Sequence, residues 1–259
     1  MHTLRSTLPM AVLRHQEQPW RPGRAQGLER ASCESCGLWG ICFPGRVASD
    51  VRAPAKGLGI RRMRLPRGKV LYRAGEKVEC FYMIRSGCIK ETQDSTCHRS
   101  TVINFALAGE MLSLHNPDDQ VSSTTSVAVE ASFICAVHWG SFNELCAASP
   151  GIAAEFIRLV VKAGAQAREL LTLIRDKEAL ERIAGFLLNL SDRLQLRGVQ
   201  GREFRLGMNR DDIASYLGVR SETVSRSFTE LSRRRLIRVR AKRVQITKPA
   251  ELRGVCDGT

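Results

Sequence analysis

The stretch MNRDDIASYLGVRSETVSRSFTEL, residues 208–231, constrains the fold most, because its pattern is that of two short helices joined by a tight turn. Asn209 is a good N-cap for the first helix, and Asp212, three residues later, has the position of a capping-box partner. Gly218 follows the apolar end of that helix, where a left-handed residue would terminate it. The stretch is therefore predicted to form a helix-turn-helix.

The second of these helices is predicted to begin near Ser221 and to have two different faces. Its apolar residues would face the core, with spacing i, i+4 and i+7: Val224, Phe228 and Leu231. The opposite face carries groups that are able to read base edges: Glu222, Ser225, Arg226 and Thr229. Arginine can donate two hydrogen bonds to guanine, glutamate can accept one from cytosine, and serine can bond to either kind of base.

Charge distinguishes a DNA-binding unit from an ordinary amphipathic hairpin with a solvated face. Between Arg197 and Lys248 the chain has 14 Lys and Arg residues against 5 Asp and Glu residues. Such an excess suits contact with a phosphate backbone. The segment is therefore interpreted as a DNA-binding helix-turn-helix.

These residues resemble the winged helix-turn-helix of the CRP/FNR transcription regulators. Three stretches carry the likeness: Asn209–Ala214, Tyr216–Gly218 and Glu222–Arg226. The Glu-x-x-Ser-Arg pattern is similar to the FNR branch in particular, which implies that Glu222, Ser225 and Arg226 read TTGAT-type half-sites of an inverted repeat. The resemblance also implies a basic wing hairpin at Arg238–Thr247. Three further residues complete the predicted DNA interface: Arg220, Ser221 and Thr229.

At 259 residues the chain has room for two modest domains, and its net charge of +14 favours a polyanionic partner. No apolar run approaches the length of a transmembrane helix, and residues 1–30 contain no apolar signal-peptide core. We therefore expect a cytoplasmic protein without a membrane partner. Residues 1–30 are rich in Pro, Arg, Gln and Gly, which predicts a flexible arm.

Nine cysteines are many for such a compartment, where disulfides are disfavoured and metal binding is the leading explanation for clustered thiols. Cys33, Cys36 and Cys42 have Cys-x₂-Cys-x₅-Cys spacing in a loop with Gly and Pro residues. Three thiolates do not complete a zinc site or the ligand set of an iron–sulfur cluster, so a fourth ligand must come from elsewhere. A cluster, a zinc knuckle and incidental free thiols are all compatible with the spacing. It does not choose among the candidate fourth ligands: Cys80, Cys88, Cys97, Cys135, Cys146 and Cys256.

An N-terminal loop of this spacing before a β-roll is similar to that of the FNR oxygen sensors. The resemblance implies a [4Fe-4S] cluster held by the loop together with one cysteine from the sensory domain. The segment VEASFICAVHWGSFNEL aligns with the part of FNR proteins that carries this internal ligand. It places Cys135 at that position, with Cys146 as the runner-up. The implied metal ligands are Cys33, Cys36, Cys42 and Cys135.

Residues 60 to about 140 carry several short strand signals, with Gly75, Gly87 and Gly109 where tight turns are needed. They predict an antiparallel roll in a sensory domain at residues 31–149 and resemble the cyclic-nucleotide-binding β-roll shared by CRP and FNR. The nucleotide-binding members hold the cyclic phosphate with an Arg-Ser or Arg-Thr pair. Because residues 111–131 contain no Arg or Lys, we expect no cyclic-nucleotide site.

A long amphipathic helix is predicted at residues 150–176, beginning at Pro150. Its apolar stripe comprises Ile152, Phe156, Leu159 or Val160, Ala163, Ala167, Leu170 and Ile174. Periodicity does not decide whether this helix packs on its own domain or on a second copy of the chain. The resemblance implies the second, in a parallel homodimer. FNR proteins that monomerise in oxygen often carry an acidic side chain where this chain has Ala167, so its dimer is expected to be tighter.

The predicted fold class is α+β: an N-terminal antiparallel β-roll, a long dimerisation helix, and a C-terminal winged helix-turn-helix domain at residues 177–259. A hinge near Arg175 and Asp176 precedes a further amphipathic helix, and residues 249–259 are interpreted as a short tail. No nucleophile–base arrangement or Gly-rich phosphate loop points to an enzyme.

The sequence therefore predicts an FNR-like transcription regulator that binds a [4Fe-4S] cluster, responds to oxygen limitation and binds inverted-repeat DNA as a homodimer. RNA polymerase is a further expected partner, through the 92–100 loop where family members often place such a contact. The alternative is a CRP/FNR-fold regulator whose cysteine loop binds zinc or no metal and which responds to another signal. Nitric oxide is an alternative signal for the cluster itself.

Overall fold

The computed structural model describes residues 29–30, 33, 36–38, 40–43, 46, 59–94, 100–114, 121–196, 198 and 201–258. The predicted arm lies outside these residues except at its end. There Glu29 and Arg30 form a short strand that pairs with Arg61 and Arg62, so the arm prediction is wrong for these two residues.

The N-terminal half is the predicted antiparallel β-roll, built from two sheets. Its strands are β1 (Glu29–Arg30), β2 (Arg61–Leu65), β3 (Val70–Tyr72), β4 (Cys80–Ser86), β5 (Cys88–Asp94), β6 (Ser100–Leu107), β7 (Met111–Leu112), β8 (Thr125–Ala128) and β9 (Ser132–His138). One sheet has the order β1-β2-β9-β4-β7 and the other has the order β3-β8-β5-β6. Every pairing in them is antiparallel, and the apolar side chains between the sheets form a buried core.

The three glycines expected at tight turns all have left-handed backbones. Gly75, Gly87 and Gly109 have φ values of 83°, 91° and 81°. At Gly87 a Cβ atom would lie 2.3 Å from the Oγ of Ser132. Both the backbone conformation and the available space therefore require glycine at that turn.

Three helices follow the roll: α1 (Trp139–Ala148), α2 (Pro150–Asp176) and α3 (Ala179–Gln195). The predicted start of the long helix at Pro150 is confirmed, and so is the break after Asp176. Lys177 has an extended backbone, and Glu178 begins α3 with a capping box. Helix α1 was not predicted, because it is short and its burial depends on contacts with β9 and α2.

The C-terminal domain consists of β10 (Glu203–Arg205), α4 (Arg210–Leu217), α5 (Ser221–Arg233), β11 (Ile237–Arg240), β12 (Arg243–Ile246) and α6 (Pro249–Asp257). Asn209 Oδ1 accepts a hydrogen bond from the Asp212 amide at 2.7 Å, which confirms the predicted cap. Gly218 ends α4 with φ at 64°. The apolar side of α5 is buried as predicted: Val224, Phe228 and Leu231.

The prediction of a tail at residues 249–259 is wrong, because Pro249–Asp257 form helix α6. Leu252 of this helix is fully buried, and the helix packs on α3. Within the described ranges, no helix is long and apolar enough to span a membrane.

The C-terminal domain contacts the roll through α4 and β6. The rings of Phe105 and Tyr216 lie 5.0 Å apart between their centroids, and the Val102 amide donates to Ser215 Oγ at 2.9 Å. Arg193 of α3 adds an ion pair to Glu110 at 2.6 Å. Both halves therefore share one apolar core at this contact.

Candidate cysteine centre and nucleic-acid interface

The four cysteines predicted as metal ligands come from two separate parts of the chain and line one small pocket. Cys33, Cys36 and Cys42 belong to the N-terminal segment, and Cys135 lies in the middle of β9. The remaining lining residues are Leu38, Ile60, Arg62, Met83, Ile84 and Arg85. The fold thus gathers distant thiols beside the central strand β9 of the first sheet.

Hydrogen bonds and aromatic packing hold the cysteine segment in place. The Cys36 amide donates to the Cys33 carbonyl at 3.0 Å, and the Cys42 amide donates to Leu38 at 2.9 Å. Phe43, next in the chain, is fully buried. Its ring lies 6.1 Å from that of Phe81 on β4, 5.8 Å from that of Phe142 on α1 and 5.8 Å from that of Phe156 on α2. Cys42 is therefore joined directly to a core that includes the long helix.

The electrostatics of the pocket reflect this close grouping of thiols. Burial, together with the neighbouring Cys135, Cys42 and Cys36, raises the pKa of Cys33 to about 11. Burial likewise raises the pKa of Cys135 to about 11, against the lowering influence of the Arg62 charge. Cys33 and Cys135 are therefore protonated at neutral pH without a metal, and metal binding would release their protons.

The donor set of the pocket fits a thiolate-bound metal centre. Among the described residues, its lining contains four thiols and neither a carboxylate nor an imidazole. Across the described ranges, no three His, Cys, Asp or Glu side chains are already close enough together to hold a metal ion. The thiols line the same pocket but would have to draw together around a bound centre.

The other described cysteines do not line this pocket. Cys146, the runner-up for the fourth ligand, is on α1, and burial alone raises its pKa. Cys80 and Cys88 are buried in strands of the roll, and Cys256 is on α6. Cys97 is outside the described residues.

A buried carboxylate that the sequence reading missed joins the cysteine segment to α2. Glu155 is 2% exposed and forms ion pairs with Arg46 and with Arg158, the second at 2.8 Å. Arg46 in turn donates its amide to the Cys42 carbonyl at 3.1 Å. Burial would raise the pKa of Glu155, but the hydrogen bonds from Arg158 and Arg46 outweigh it and hold the pKa below its usual value. The sequence carries one signal for this buried residue: the charged Glu155 stands among apolar positions of the helix, between Ile152 and Phe156.

The long helix α2 has two apolar faces rather than one. Its inner face packs on the apolar core around Phe43 through Ile152, Phe156 and Leu159. Its outer face leaves large apolar side chains exposed, by 59%, 60% and 60% of their surface respectively: Ile157, Val161 and Leu171. The predicted stripe matches the inner face at Ile152, Phe156 and Leu159 and does not include the three outer-face residues. A helix that is apolar on two sides gives overlapping periodic patterns, of which the prediction found one.

The polar face of α5 is open to solvent. Exposed side chains on or next to it include Arg220, Glu222, Ser225, Arg226 and Thr229, and Ser221 is partly exposed. The hydroxyls of Ser225 and Thr229 donate to helix carbonyls at 3.2 and 3.1 Å, which leaves their oxygens able to accept. In the described part of the chain, Glu222 and Arg226 form neither an ion pair nor a side-chain hydrogen bond, whereas Arg233 and Arg234 both pair with Glu230.

The predicted wing is present as the β11–β12 hairpin. Arg240 and Arg243 face each other across a two-residue turn whose first residue, Ala241, has φ at 52°. Arg238, Arg240 and Arg243 are exposed, so the hairpin presents positive charge beside α5. The predicted polymerase loop is described only at positions 92–94 and 100.

Comparisons with known proteins agree with this architecture. Two family models match, the cyclic nucleotide-binding domain at residues 62–149 and the Crp-like helix-turn-helix domain at residues 181–255. The chain is 31% identical to the transcriptional regulatory protein btr of Bordetella pertussis, over 84% of this chain and 90% of that protein. It is 30% identical to the transcriptional activator protein FnrA of Stutzerimonas stutzeri, over 86% and 91% of the two chains. It is also 29% identical to the transcriptional activator protein Anr of Pseudomonas protegens, over 92% and 98%.

Solved structures show the same fold. FixK2 from Bradyrhizobium japonicum has a TM-score of 0.69 at 22% identity, covering 75% of this chain and 96% of its own. A CooA mutant from Carboxydothermus hydrogenoformans has a TM-score of 0.64 at 17% identity, covering 81% and 94%. Both share the overall fold of this chain.

Proposed function

Because this chain belongs to the CRP/FNR family of transcription regulators, we propose that it controls transcription in response to oxygen through a [4Fe-4S] cluster. Its relatives are named as transcriptional activators and regulators, so the chain is an FNR-like DNA-binding regulator and not an enzyme. The oxygen signal and the cluster are the parts that we propose.

One observation supports the cluster above all others: four cysteines from two distant segments line one pocket. Cys33, Cys36, Cys42 and Cys135 would be its ligands. When bound, an iron–sulfur cluster supplies a redox-active centre that is sensitive to oxygen. The role of the chain is to bring the four thiols together and to give up their protons.

The exposed outer face of α2 supports a homodimer. Burying a side chain such as Ile157 or Leu171 contributes about 1.5–3 kcal/mol, so a helix that leaves several exposed gains by pairing with a copy of itself. Gly164, Ala167 and Leu171 follow i, i+3, i+7 spacing, and the first two are small enough for a close approach. We retain residues 150–176 as the dimerisation helix between a sensory domain (31–149) and a DNA-binding domain (177–259).

Such a dimer would present two α5 helices about one DNA turn, roughly 34 Å, apart. It would therefore recognise an inverted repeat, with Glu222, Ser225 and Arg226 reading TTGAT-type half-sites. The unpaired state of Arg226 supports this role, because its five donors are not used within the described residues. Arg220, Ser221, Thr229 and the wing arginines would contact the same duplex, and RNA polymerase would be a later partner.

The proposal includes no cyclic-nucleotide effector. Inside the roll, Glu91 accepts hydrogen bonds from Tyr72 at 2.7 Å, Asn104 at 2.9 Å and Thr124 at 3.3 Å. This polar cluster has a carboxylate and no basic side chain, and a negative charge repels a cyclic phosphate placed beside it.

Two contacts couple the cysteine pocket to the dimer helix. Phe43 packs on Phe156, and Arg46 pairs with Glu155. Both residues follow Cys42 closely in the chain, so a cysteine segment released from its metal would lose these two contacts together. Helix α2 would then lose part of the support for its first turns.

The test is an absorption spectrum of anaerobically purified protein, with iron and sulfide analysis, before and after exposure to air. A brown protein with about four irons per chain that bleaches in air would support the proposal. A colourless protein that holds zinc, or no metal after anaerobic reconstitution, would contradict it. That result would favour the alternative, a regulator of the same fold with a zinc-bound or metal-free cysteine loop.

A further inference from the structure

Arg62 lies beside the cysteine pocket in a position fixed by the sheet. On one side β2 pairs with β9, where Arg62 is directly opposite Cys135, and on the other side it pairs with β1, where Arg62 is opposite Glu29. Directly opposite residues of antiparallel strands extend their side chains from the same face. Arg62 and Cys135 therefore share a face, and both line the pocket together with Cys33, Cys36 and Cys42.

The guanidinium of Arg62 has an unused donor in this buried place. Its Nε is shielded from solvent and has no hydrogen-bond partner among the described residues. A buried donor without an acceptor costs about 1–3 kcal/mol, and more for a charged group. Arginine has five N–H donors in a fixed plane and no acceptor, so the missing partner must be an acceptor.

Among the described lining residues, the side-chain acceptors of the pocket are all sulfur atoms. The described part of the lining has no acidic side chain, and its two charged residues, Arg62 and Arg85, are both positive. Four thiolates around an iron–sulfur centre carry net negative charge, and their sulfur atoms accept hydrogen bonds that tune the centre. A buried positive donor is poorly placed beside neutral thiols and well placed beside thiolates.

We propose that Arg62 is the positioning residue of the cluster, whose Nε–H donates to a ligand or cluster sulfur and whose charge offsets that of the thiolates. This inference rests on the proposed function and deepens it. Arg62 therefore has opposite effects in the two states of the pocket. Without a cluster its side chain destabilises the pocket, and with a cluster it stabilises the bound ligands. Arg85, at the end of β4, adds a second positive charge from the rim.

The test compares Arg62→Gln and Arg62→Lys with wild type and with Arg64→Gln after anaerobic reconstitution. Arg64 is a matched control, because it lies on the same strand and face but is exposed and does not line the pocket. Three quantities are measured: iron retained against a chelator, the reduction potential of the centre, and the thermal stability of the metal-free protein.

In Arg62→Gln we expect iron loss roughly tenfold faster or more, the usual scale for removing a residue that supports metal ligands. The reduction potential should become more negative, because the compensating charge is lost. Arg62→Lys should fall between wild type and Arg62→Gln, and Arg64→Gln should match wild type.

The thermal stability of the metal-free protein distinguishes a role of Arg62 at the cluster from a merely structural role. Because Arg62→Gln removes a buried Nε–H donor that has no partner among the described residues, that variant should be at least as stable as wild type without metal, although it is less stable with metal. An Arg62→Gln variant with wild-type iron retention and potential would overturn the inference. A wild-type protein without iron would instead contradict the proposed function, and this is seen before any variant is compared.

Discussion

Arg46 and Glu155 form an ion pair that joins the cysteine segment to the first turns of the long helix. The Arg46 amide is hydrogen-bonded to Cys42, and Glu155 is almost completely buried. The pair thus connects a predicted metal ligand to the predicted dimerisation helix across only two residues. Arg158 completes the pairing of the carboxylate from the solvent side.

Replacing Arg46 should weaken the coupling between the pocket and the dimer. We expect Arg46→Ala to retain the cluster, because Arg46 does not line the pocket, but to reduce the difference in dimerisation between the cluster-loaded and air-exposed states. Sedimentation velocity of both states measures this difference. Arg158→Ala is the control, since it removes the other partner of Glu155 and leaves the cysteine segment unchanged. A full wild-type difference in Arg46→Ala would rule out this route.

The buried Glu155 should make stability depend on acid pH. Its pKa is held below the usual value, so its ion pairs stabilise the fold above the usual Glu pKa and are lost as the pH falls through the lowered value. At pH 7, Glu155→Gln should cost about 1–2 kcal/mol, a modest value because both arginines are largely solvated. In urea unfolding of the metal-free proteins, the difference in unfolding free energy between wild type and Glu155→Gln should become smaller below about pH 4. A gap that is constant with pH would argue against a charged Glu155.

Cys135 should be required for the cluster and Cys146 should not. Of the described cysteines outside the N-terminal segment, Cys135 alone lines the pocket. After anaerobic reconstitution, Cys135→Ala should therefore lose the brown absorption and most of its iron, while Cys146→Ala retains both. If Cys135→Ala keeps a complete cluster, the fourth ligand is another thiol.

Arg226 should contribute to sequence recognition rather than to general DNA affinity. Arg226→Ala should cost roughly 1–3 kcal/mol per half-site and relax the base preference at one position, because a bidentate contact to guanine is lost. Arg234→Ala removes the same charge from a residue already paired with Glu230, and it should lower affinity for all sequences alike. Fluorescence anisotropy with consensus and scrambled sites distinguishes these effects. Equal affinity of the wild-type protein for both sites would remove Arg226 from the reading face.

An acidic side chain at position 167 should weaken the dimer. Ala167→Asp would place two like charges near each other in the seam between paired α2 helices, and this repulsion should favour monomers after cluster loss. Ala167→Asn has the same size without the charge and should remain closer to wild type. Sedimentation at several protein concentrations measures the change. Identical dimerisation of both variants would place position 167 outside the seam.

Local signals in the sequence were sufficient for the helix-turn-helix. The caps at Asn209 and Gly218 depend on neighbouring residues only, and the buried positions of α5 follow from helical periodicity. The turn glycines of the roll were predictable for the same reason, because a left-handed backbone is a local requirement.

Features that depend on pairing between distant segments were not predictable. The position of Arg62 opposite Cys135 is a matter of strand register, and no spacing in the sequence encodes it. The sequence predicts a tail where helix α6 forms, because the stability of this short helix comes from packing on α3 and not from local signals. The Arg46–Glu155 pair likewise appears only when the cysteine segment lies on the long helix. For the pocket itself, the family resemblance predicts Cys135 as the fourth ligand, and in the structure Cys135 lines one pocket with the three N-terminal cysteines.

The most direct measurement is the affinity of one anaerobic sample for a duplex with an inverted TTGAT-type repeat, before and after complete bleaching in air. Fluorescence anisotropy at constant salt gives both values. Our account predicts that the cluster-loaded protein binds roughly tenfold more tightly or better, within the usual range of coupling between two sites. Equal affinity in the two states would contradict it, because the cysteine pocket would then have no influence on DNA binding.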